Sequence, residues 1–388
     1  MDMKFCLFAM CMVYLSSGFA DGDGGEGGRF FEPSLVVTAD YFSGLNGGVH
    51  PSGHEGLLLV DIGGNIDLEE GIGLSNISFD FNFLYLVGTS PSASFVGDWN
   101  GISNIDSDTE NLRLFEAAFR GELIDGSLEF GIGQLAADSV FFGSEVSALF
   151  INSTFGWAAA GIQSNAPAYG QASLGTMFDY ALNDAFNILS GVYSTDIGDV
   201  TTDSSARHGF YFKLPKRDSF VWFNESQWNA RLGSISSQLN LGFWVEEGEF
   251  REGSTSVSHN WNYGYYLVLD RIRLSEDGLT GFVRFAASPS DRNEFVSYFD
   301  LGISGRSFIP SRPDDHWGIA YSNSVLSDHL FQGENPETEG VVELTWQAHV
   351  GDGLIFQPTF QYISNPSGHE GSSVSDSLVA GIRIQGEW

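Results

Sequence analysis

The stretch that decides the fold is SLVAGIRIQGEW, residues 377–388, which ends the sequence on a tryptophan. Read in steps of two, one face carries leucine, alanine, two isoleucines, glycine and the tryptophan. The other face contains Arg383, Gln385 and a glutamate beside valine and glycine. Because successive side chains of a β-strand point to opposite faces, this pattern predicts a strand with one apolar side and one mostly polar side.

Two environments would produce this alternation. In a soluble sheet the apolar face points inward and Arg383 faces water. In a barrel that spans a membrane, Ile382 and Ile384 contact lipid while Arg383 and Gln385 point into a wet lumen. Trp388 favours the barrel, because outer-membrane barrels commonly end in an aromatic side chain that lies at the interface and is recognised by the assembly machinery.

The N-terminal segment predicts export. Lys4 precedes an apolar stretch, residues 5–15, which is followed by small residues where a signal peptidase would cut. We therefore predict a removed signal sequence over residues 1–20. Both cysteines, Cys6 and Cys11, lie inside it, so the remaining chain would form no disulfide and needs another source of stability, such as a large hydrogen-bonded sheet.

Composition restricts the class of protein further. The sequence has no run of eighteen apolar residues after the signal, and therefore no transmembrane helix, but a spanning strand needs only about nine to eleven residues, half of them apolar. A mean hydropathy of -0.05 fits such strands. The 48 glycines and 33 phenylalanines suit many turns and an aromatic surface facing lipid. A formal net charge of -33 excludes a nucleic-acid partner, which needs a basic surface.

After an acidic, glycine-rich leader over residues 21–33, strand-like stretches recur to the end of the sequence without a linker. We therefore predict one domain, a porin-like barrel over residues 34–388. Bacterial single-chain barrels have an even number of strands, so we expect an all-β, antiparallel transmembrane barrel of about 16 strands, within 16 to 18. The eighteen candidate stretches are 34–42, 56–68, 76–88, 110–123, 126–138, 149–158, 172–182, 185–195, 209–215, 219–230, 236–247, 262–274, 279–289, 293–307, 315–327, 338–350, 354–365 and 373–388.

The connections between these stretches alternate in length. Tight turns are predicted at residues 125–126, 183–184 and 351–353. Short periplasmic turns and long extracellular loops are typical of transmembrane barrels. The predicted long loops are 89–109, 196–208, 248–261 and 328–337.

Several segments share a family resemblance. They are GDWNGISNID (97–106), LRLFEAAFRGELIDGSLEFGIGQLAADSVFFGSEVSALFINSTFG (112–156), YYLVLDRIRL (265–274), FAASPSDRNEF (285–295), IPSRPDDHWGIAYS (309–322) and ETEGVVELTWQAHVGDGLIFQPTFQYISNPSG (337–368). In order and spacing, over roughly residues 80–388, the sequence resembles the carbohydrate-selective (OprB-like) porins of the Gram-negative outer membrane. The resemblance implies a passive channel with arginines and acids near its narrowest part.

Six side chains are predicted to line the lumen and contact the solute, because they alternate with apolar neighbours on predicted strands. Each has a second interpretation, in which it pairs across the barrel wall and holds strands and folded-in loops. Arginine suits sugar hydroxyls because its planar head carries five donors. The six candidates are Asp80, Arg284, Asp300, Glu343, Gln361 and Arg383.

Three aromatic and two acidic residues have alternative interpretations. Trp99, Trp244 and Tyr266 would either stack on a sugar ring or belong to aromatic girdles and loop packing. Glu246 and Glu247 are adjacent and lie on opposite faces of a strand, so they cannot flank one glycosidic bond. The sequence also lacks the common hydrolase, metalloprotease and nucleotide-binding motifs. We predict no catalytic residue, no metal site and no cofactor.

The sequence therefore predicts an integral outer-membrane channel for diffusion of small carbohydrates and similar polar solutes. Its expected partners are the lipid bilayer and lipopolysaccharide, small saccharides, and the barrel assembly machinery through Trp388. A homotrimer and a monomer are both left open. Two alternatives remain: an outer-membrane barrel for a different solute, and a secreted all-β protein that binds or hydrolyses glycans.

Overall fold

The computed structural model describes the chain from residue 30 to its last residue, with short gaps. The predicted signal sequence and most of the predicted leader lie outside the described residues. Within the described part of the chain, no helix is both long enough and apolar enough to cross a membrane. The described residues are 30–107, 111–215, 219–232, 235–252, 257–275, 278–329, 338–351, 353–368 and 374–388.

The described chain forms a closed barrel of sixteen antiparallel strands, as the sequence predicts. Each strand pairs with its neighbours along the chain, and the last strand pairs with the first. A closed sheet leaves no strand edge unpaired, which is the condition for crossing a hydrocarbon layer with strands. The strands are β1 Phe31–Gly48, β2 His54–Asp67, β3 Ile77–Gly88, β4 Asn111–Leu123, β5 Leu128–Leu135, β6 Ser173–Asn183, β7 Phe186–Ser194, β8 Phe220–Leu232, β9 Ile235–Arg251, β10 Ser258–Arg273, β11 Thr280–Ala287, β12 Phe295–Arg306, β13 His316–Leu326, β14 Thr338–His349, β15 Leu354–Ser364 and β16 Ser375–Glu387.

The terminal stretch closes the barrel. β16 pairs with β1 so that Arg383 stands opposite Asp40. Trp388 continues this ladder, because its backbone N–H donates to the carbonyl of Leu35 at 2.9 Å and its carbonyl accepts from the Leu35 N–H at 3.0 Å. The last residue of the sequence is therefore part of the seam that joins the two ends of the sheet.

Two of the eighteen predicted strands are wrong. Segment 149–158 contains only the single turn Ser153–Phe155 and the end of another, Ser147–Leu149, and its phenylalanines are buried inside the barrel. Segment 209–215 forms no strand, and it begins at a glycine with a φ of 74°. Both segments have short apolar runs, which periodicity alone does not distinguish from strands.

The two ends of the barrel differ, as predicted. At one end the strands are joined by short turns such as 124–127 and 184–185, and at the other by long loops. The predicted loop 248–261 is wrong in extent, because β9 and β10 continue through most of it. The longest loop, 136–172, was missed because a strand was predicted within it. A short helix, Leu68–Ile72, lies in one turn, and another, Ser204–Arg207, lies in a long loop.

The outer wall is apolar and aromatic. On β10, Tyr265 is 57% exposed whereas its inward neighbour Tyr266 is 3% exposed. On β16, Ile382 is 36% exposed and Arg383 is 8% exposed. The apolar face of the opening stretch therefore points out of the barrel and its polar face points in, which is the arrangement of a sheet that faces lipid.

The interior is filled along part of its circumference. Loop 136–172 and the described part of loop 89–110, residues 89–107, fold into the barrel and pack against inward residues of β4–β16 and β1. Phe142 packs edge-on against Tyr266 with ring centroids 5.2 Å apart, and Phe150 lies 6.1 Å from Phe282. The space that remains open lies against parts of β2–β6.

Candidate functional site

Arg284 and Asp300 form a buried ion pair on the inner wall. They stand directly opposite each other on β11 and β12. The guanidinium Nη2 lies 2.6 Å from Oδ2 of Asp300, and Nε lies 3.1 Å from both carboxylate oxygens. Tyr298 donates its hydroxyl to the same carboxylate at 2.7 Å. Both charged side chains are almost completely excluded from solvent, so this pair is a structural contact in this conformation.

The remaining donors of Arg284 hold loop 136–172. Nη1 donates to the carbonyl of Gly156 at 2.7 Å and to that of Phe142 at 3.3 Å, and Nη2 donates to the carbonyl of Thr154 at 3.1 Å. The guanidinium also lies over the ring of Phe142, 4.7 Å from its centroid. One arginine therefore ties two separate parts of the loop to the wall.

Glu343 and Gln361, which are directly opposed on β14 and β15, hold the same loop and its neighbour. Glu343 accepts the backbone N–H groups of Ile151 at 2.9 Å and Asn152 at 2.8 Å. Gln361 accepts the side-chain amide of Asn152 at 2.8 Å and donates to the carbonyl of Ile102 at 2.9 Å. Loops 89–110 and 136–172 are thus joined through these two side chains.

Arg383 holds loop 89–110 through a third buried cluster. Its Nε and Nη2 donate to the two carboxylate oxygens of Asp40, each at 2.7 Å. Nη2 also donates to the side-chain oxygen of Asn104 at 2.7 Å, and Ser103 donates to Asp40 at 2.6 Å. Five of the six predicted lumen residues therefore face the inside of the barrel: four of them bind loops directly, and Asp300 binds Arg284.

Asp80, the sixth candidate, lies apart from the other five. Its carboxylate is 34% exposed and stands 3.1 Å from Nε of Arg120. Asn65 also donates to it. Arg120 reaches Glu116 as well, with Nη2 3.5 Å from the carboxylate. These polar groups are half-exposed and line the open side of the lumen.

Four further carboxylates bind the folded-in loops, and the sequence did not single them out for this role. Glu225 accepts the Phe142 N–H at 3.1 Å, and Asp270 accepts the Glu145 N–H at 2.9 Å. Glu246 likewise accepts a backbone N–H of loop 136–172, and Glu339 accepts one of loop 89–110. All four lie at inward positions of predicted strands. The alternation of side chains along a strand therefore predicts that they face the lumen, although it does not predict their hydrogen-bond partners.

Cavities lie beside the inward faces of β2–β6 at both ends of the barrel. A cavity of about 470 Å³ opens at the short-turn end and contains Asn65, Asp80 and Arg120 in its lining. A neighbouring cavity of about 420 Å³ shares these three residues and adds Asn82 and Glu116. A third, of about 490 Å³, opens at the long-loop end. All three include residues of β2 and β3 in their lining, and the third is also lined by Ser90 and Asp106 of loop 89–110.

An apolar cluster separates the upper cavity from the lower two. Tyr169 of loop 136–172 belongs to it and donates its hydroxyl to the carbonyl of Ile105 at 3.1 Å. Loops 89–110 and 136–172 thus meet opposite the wall at this level. The cluster consists of Leu57, Leu59, Leu84, Leu86 and Ile105, with Phe115 and Tyr169 packed against them.

The lower cavity is predominantly negative. Arg120 is the single basic side chain in its lining, which contains several carboxylates. A negatively lined passage with apolar walls raises the local concentration of cations and lowers that of anions. The acids in this lining are Asp67, Glu69, Asp80, Glu122 and Glu129.

Two loop carboxyls have raised pKa values. Burial raises the pKa of Asp138 to about 7, against the opposing effect of the Tyr169 N–H that it accepts at 2.7 Å, and the charge of Glu116 raises it further. Burial likewise raises the pKa of Asp98 to about 6. In both cases burial disfavours the charged form of the carboxyl.

The three aromatic candidates belong to packing in this conformation. Trp244 and Tyr266 are buried in the cluster beneath loop 136–172. Trp99 is partly exposed, and its indole N–H donates to the carbonyl of Ser367 at 2.6 Å. Within the described ranges, no group of three or more histidine, aspartate, glutamate or cysteine side chains could hold a metal ion.

Comparison with known proteins agrees with this geometry. The family described as "Carbohydrate-selective porin, OprB family" matches residues 59–388. The high-pH structure of Pseudomonas putida OprB is similar with a TM-score of 0.80 and 18% identity, covering 92% of this chain and 94% of that one. Its low-pH structure gives a TM-score of 0.59 and 15% identity, with 92% of each chain covered.

A more distant porin shares the architecture. Salmonella typhi OmpF, in complex with daunomycin, gives a TM-score of 0.57 at 6% identity, covering 92% of this chain and 97% of that one. No curated protein matches the sequence. At these identities the solved structures agree in fold, and the family match carries the argument about function.

Proposed function

The chain belongs to the carbohydrate-selective porin, OprB family, and from that premise we propose that small sugars cross its barrel beside the polar wall formed by β2–β6. The protein is an integral outer-membrane channel for sugars. The observation that carries the proposed route is the position of the cavities, which flank this one wall at both ends of the barrel. The loops fill the rest of the interior and also meet this wall at the apolar cluster between the upper and lower cavities.

Family and fold indicate a channel rather than an enzyme. The secreted alternative does not fit a closed sheet with an aromatic exterior and a polar interior. We infer that transport is passive diffusion in which hydroxyl groups exchange hydrogen bonds with the wall, since the lining offers amides, carboxylates and the guanidinium groups of Arg120 and Arg207.

Asp80, Arg120 and Glu116 are our candidates for direct solute contact, because they are polar and reachable from the lower cavities. The other five predicted lumen residues act on the solute through the shape of the lumen, since four of them bind the loops that narrow it and Asp300 holds Arg284 in place. Direct contact between those five residues and a sugar stays a prediction for conformations in which the loops move.

Charge selectivity tests this route. In planar bilayers, a permeant neutral sugar should lower the single-channel conductance, and potassium should permeate better than chloride because the lower cavity is acidic. Neutralising the wall with Asp80→Asn and Glu116→Gln should reduce the potassium preference by about threefold, on the order of 0.7 kcal/mol. Glu249→Gln, an exposed position on β9 outside these cavities, should leave it unchanged.

Two results would contradict the proposal. A conductance that does not respond to any sugar would remove saccharides as solutes. An unchanged ion preference in the double variant, with a folded barrel, would place the route elsewhere and leave the family membership intact.

For assembly, we propose that the machinery that inserts outer-membrane barrels recognises Trp388. The proposal is supported by the position of Trp388 at the seam, where the backbone of Trp388 pairs with that of Leu35. Deleting Trp388 should slow insertion into the membrane, because both the terminal aromatic and two ladder bonds are lost. Pulse-labelling followed by the appearance of the heat-modifiable band measures this rate, with Glu387→Gln as the control. A normal rate would refute the role.

A further inference from the structure

Among the described residues, the inner wall buries three arginines, and they differ in their partners. Arg284 and Arg383 each pair with a carboxylate through Nε and Nη2. Arg113 of β4 is 3% exposed, and its Nη2 donates to the carbonyl of Ala206 at 3.3 Å. Within the described part of the chain, Nε and Nη1 of Arg113 have no hydrogen-bond partner.

An unpaired guanidinium is costly in this position. A charge that is removed from water without a compensating partner raises the free energy of the folded state. Arginine cannot avoid this cost by losing its proton, because it stays charged in proteins. Its planar head pairs most strongly with an anionic group that accepts two parallel hydrogen bonds, such as a carboxylate. The free donors of Arg113 therefore suit an anionic group that comes from outside the chain.

Arg113 lies beside the upper cavity, the cavity of about 490 Å³ at the long-loop end. Asn111, two residues before it on the same face of β4, lines this cavity together with Leu86, which stands directly opposite Asn111 on β3. Arg207, which follows the Ala206 carbonyl that Arg113 binds, also lines it. The guanidinium thus lies directly behind two parts of the cavity wall.

The described lining of the upper cavity suits the rest of a sugar molecule. Ser90, Asn111 and Thr201 offer hydroxyl and amide groups that both donate and accept. Arg207 donates its Nε and Nη2 to two backbone carbonyls of its own loop, which holds that side of the cavity in place. Asp106 is the one acid among the described lining residues, and it accepts the Ser90 hydroxyl. The cavity therefore combines partners for hydroxyl groups with a guanidinium in its wall and a second one behind it.

We propose that the upper cavity binds a monosaccharide that carries a carboxylate, with the carboxylate on Arg113 and the hydroxyl groups on the polar lining. The flexible stem of Arg113 lets its head turn towards the cavity between Asn111 and Arg207. The proposal rests on the sugar route beside β2–β6 and adds a class of ligand to it.

The acidic lower cavity gives this binding a direction. Its carboxylates repel an anion that approaches from the short-turn end. A sugar acid therefore enters from the long-loop end, binds at Arg113 and leaves the same way. It blocks the channel instead of crossing it.

Single-channel recording with each side of the bilayer addressed separately tests the proposal, with glucuronate as the probe. Glucuronate on the long-loop side should interrupt the current, and the same concentration on the short-turn side should be at least about tenfold less effective. Glucose has the sugar ring without the charge, and acetate has the carboxylate without the ring. Each should bind at least about tenfold more weakly than glucuronate.

Three variants locate the site. Arg113→Gln keeps a donor for the Ala206 carbonyl and removes an unpaired buried charge, so the barrel should fold, which the heat-modifiable gel band confirms. Its affinity for glucuronate relative to glucose should fall at least about tenfold. Arg113→Lys keeps the charge without the planar head and should lie between the two. Arg251→Gln, which removes an exposed arginine at the long-loop end of β9, should bind glucuronate like the wild-type chain.

A second measurement needs no variant. A ligand that binds the folded state stabilises it, so glucuronate should raise the temperature at which the native gel band of the wild-type chain is lost, and acetate should not. No such rise, equal block from both sides, or undiminished glucuronate binding in Arg113→Gln would each overturn the proposal. A channel that responds to glucose and ignores glucuronate would also overturn it and leave the proposed sugar route intact. Block by glucuronate without any response to glucose would support this site and contradict the route for neutral sugars.

Discussion

Replacing Arg284 with methionine is expected to release loop 136–172 from the wall of the barrel. The arginine satisfies three loop carbonyls and the carboxylate of Asp300, all in a site without solvent. Methionine fills the volume but leaves the carboxylate buried and unpaired, which costs about 3–5 kcal/mol in comparable sites. The sixteen-stranded sheet does not depend on this contact, so the barrel should still form.

The consequence should appear in the conductance. A loop that leaves the wall opens space on the side it now fills, and single-channel recordings of Arg284→Met should show a larger and noisier current. Hydrogen exchange should rise in residues 136–172 and remain slow in the strands. Loss of exchange protection throughout the barrel would instead mean that the pair stabilises the sheet itself.

A paired variant separates charge from loop binding. Arg284→Met combined with Asp300→Leu removes the unpaired charge, and apolar replacement of a buried pair is often neutral or stabilising. Stability should therefore recover, whereas the enlarged, noisy current should persist because the three carbonyls still lack their donor. Recovery of the original current in the double variant would show that the carbonyl contacts do not hold the loop.

The alternation of side chains along each strand predicted which residues form the inner wall, because it depends only on local backbone geometry. Alternation placed Arg284, Asp300, Glu343 and Gln361 on the inward face, and the structure shows that they form two directly opposed pairs. The same rule placed Ile382 outside. A period of two is a property of the strand itself, so it can be read without knowing what the strand packs against.

The roles of those residues could not be read in the same way. Glu343 binds Asn152, which is 191 positions earlier in the chain. The sequence around either residue contains no signal that predicts this contact. The sequence predicts a strand at 149–158 because burial within a folded-in loop and exposure to lipid select the same apolar residues. Since the loop's position was unknown, the exposed wall beside Asp80 and the buried wall beside Arg284 were indistinguishable.

Ile382→Arg tests the orientation on which every other conclusion depends. Ile382 lies midway along β16 and faces outward, with Tyr41 of β1 and Pro358 of β15 beside it. An arginine on the lipid face near the bilayer midplane destabilises a barrel by about 2–4 kcal/mol. The folded fraction in a urea titration in lipid vesicles should fall accordingly, and less protein should reach the outer membrane.

Gln227→Arg supplies the matched control, because it introduces the same side chain on the inward face of β8. Gln227 is half-buried and donates to Glu225 at 2.7 Å, so the new charge would meet a carboxylate and a wet lumen. It should assemble like the wild-type chain. Equal tolerance of both arginines, or greater damage from the inward one, would mean that the apolar face does not contact lipid, because only the surrounding solvent distinguishes the two substitutions.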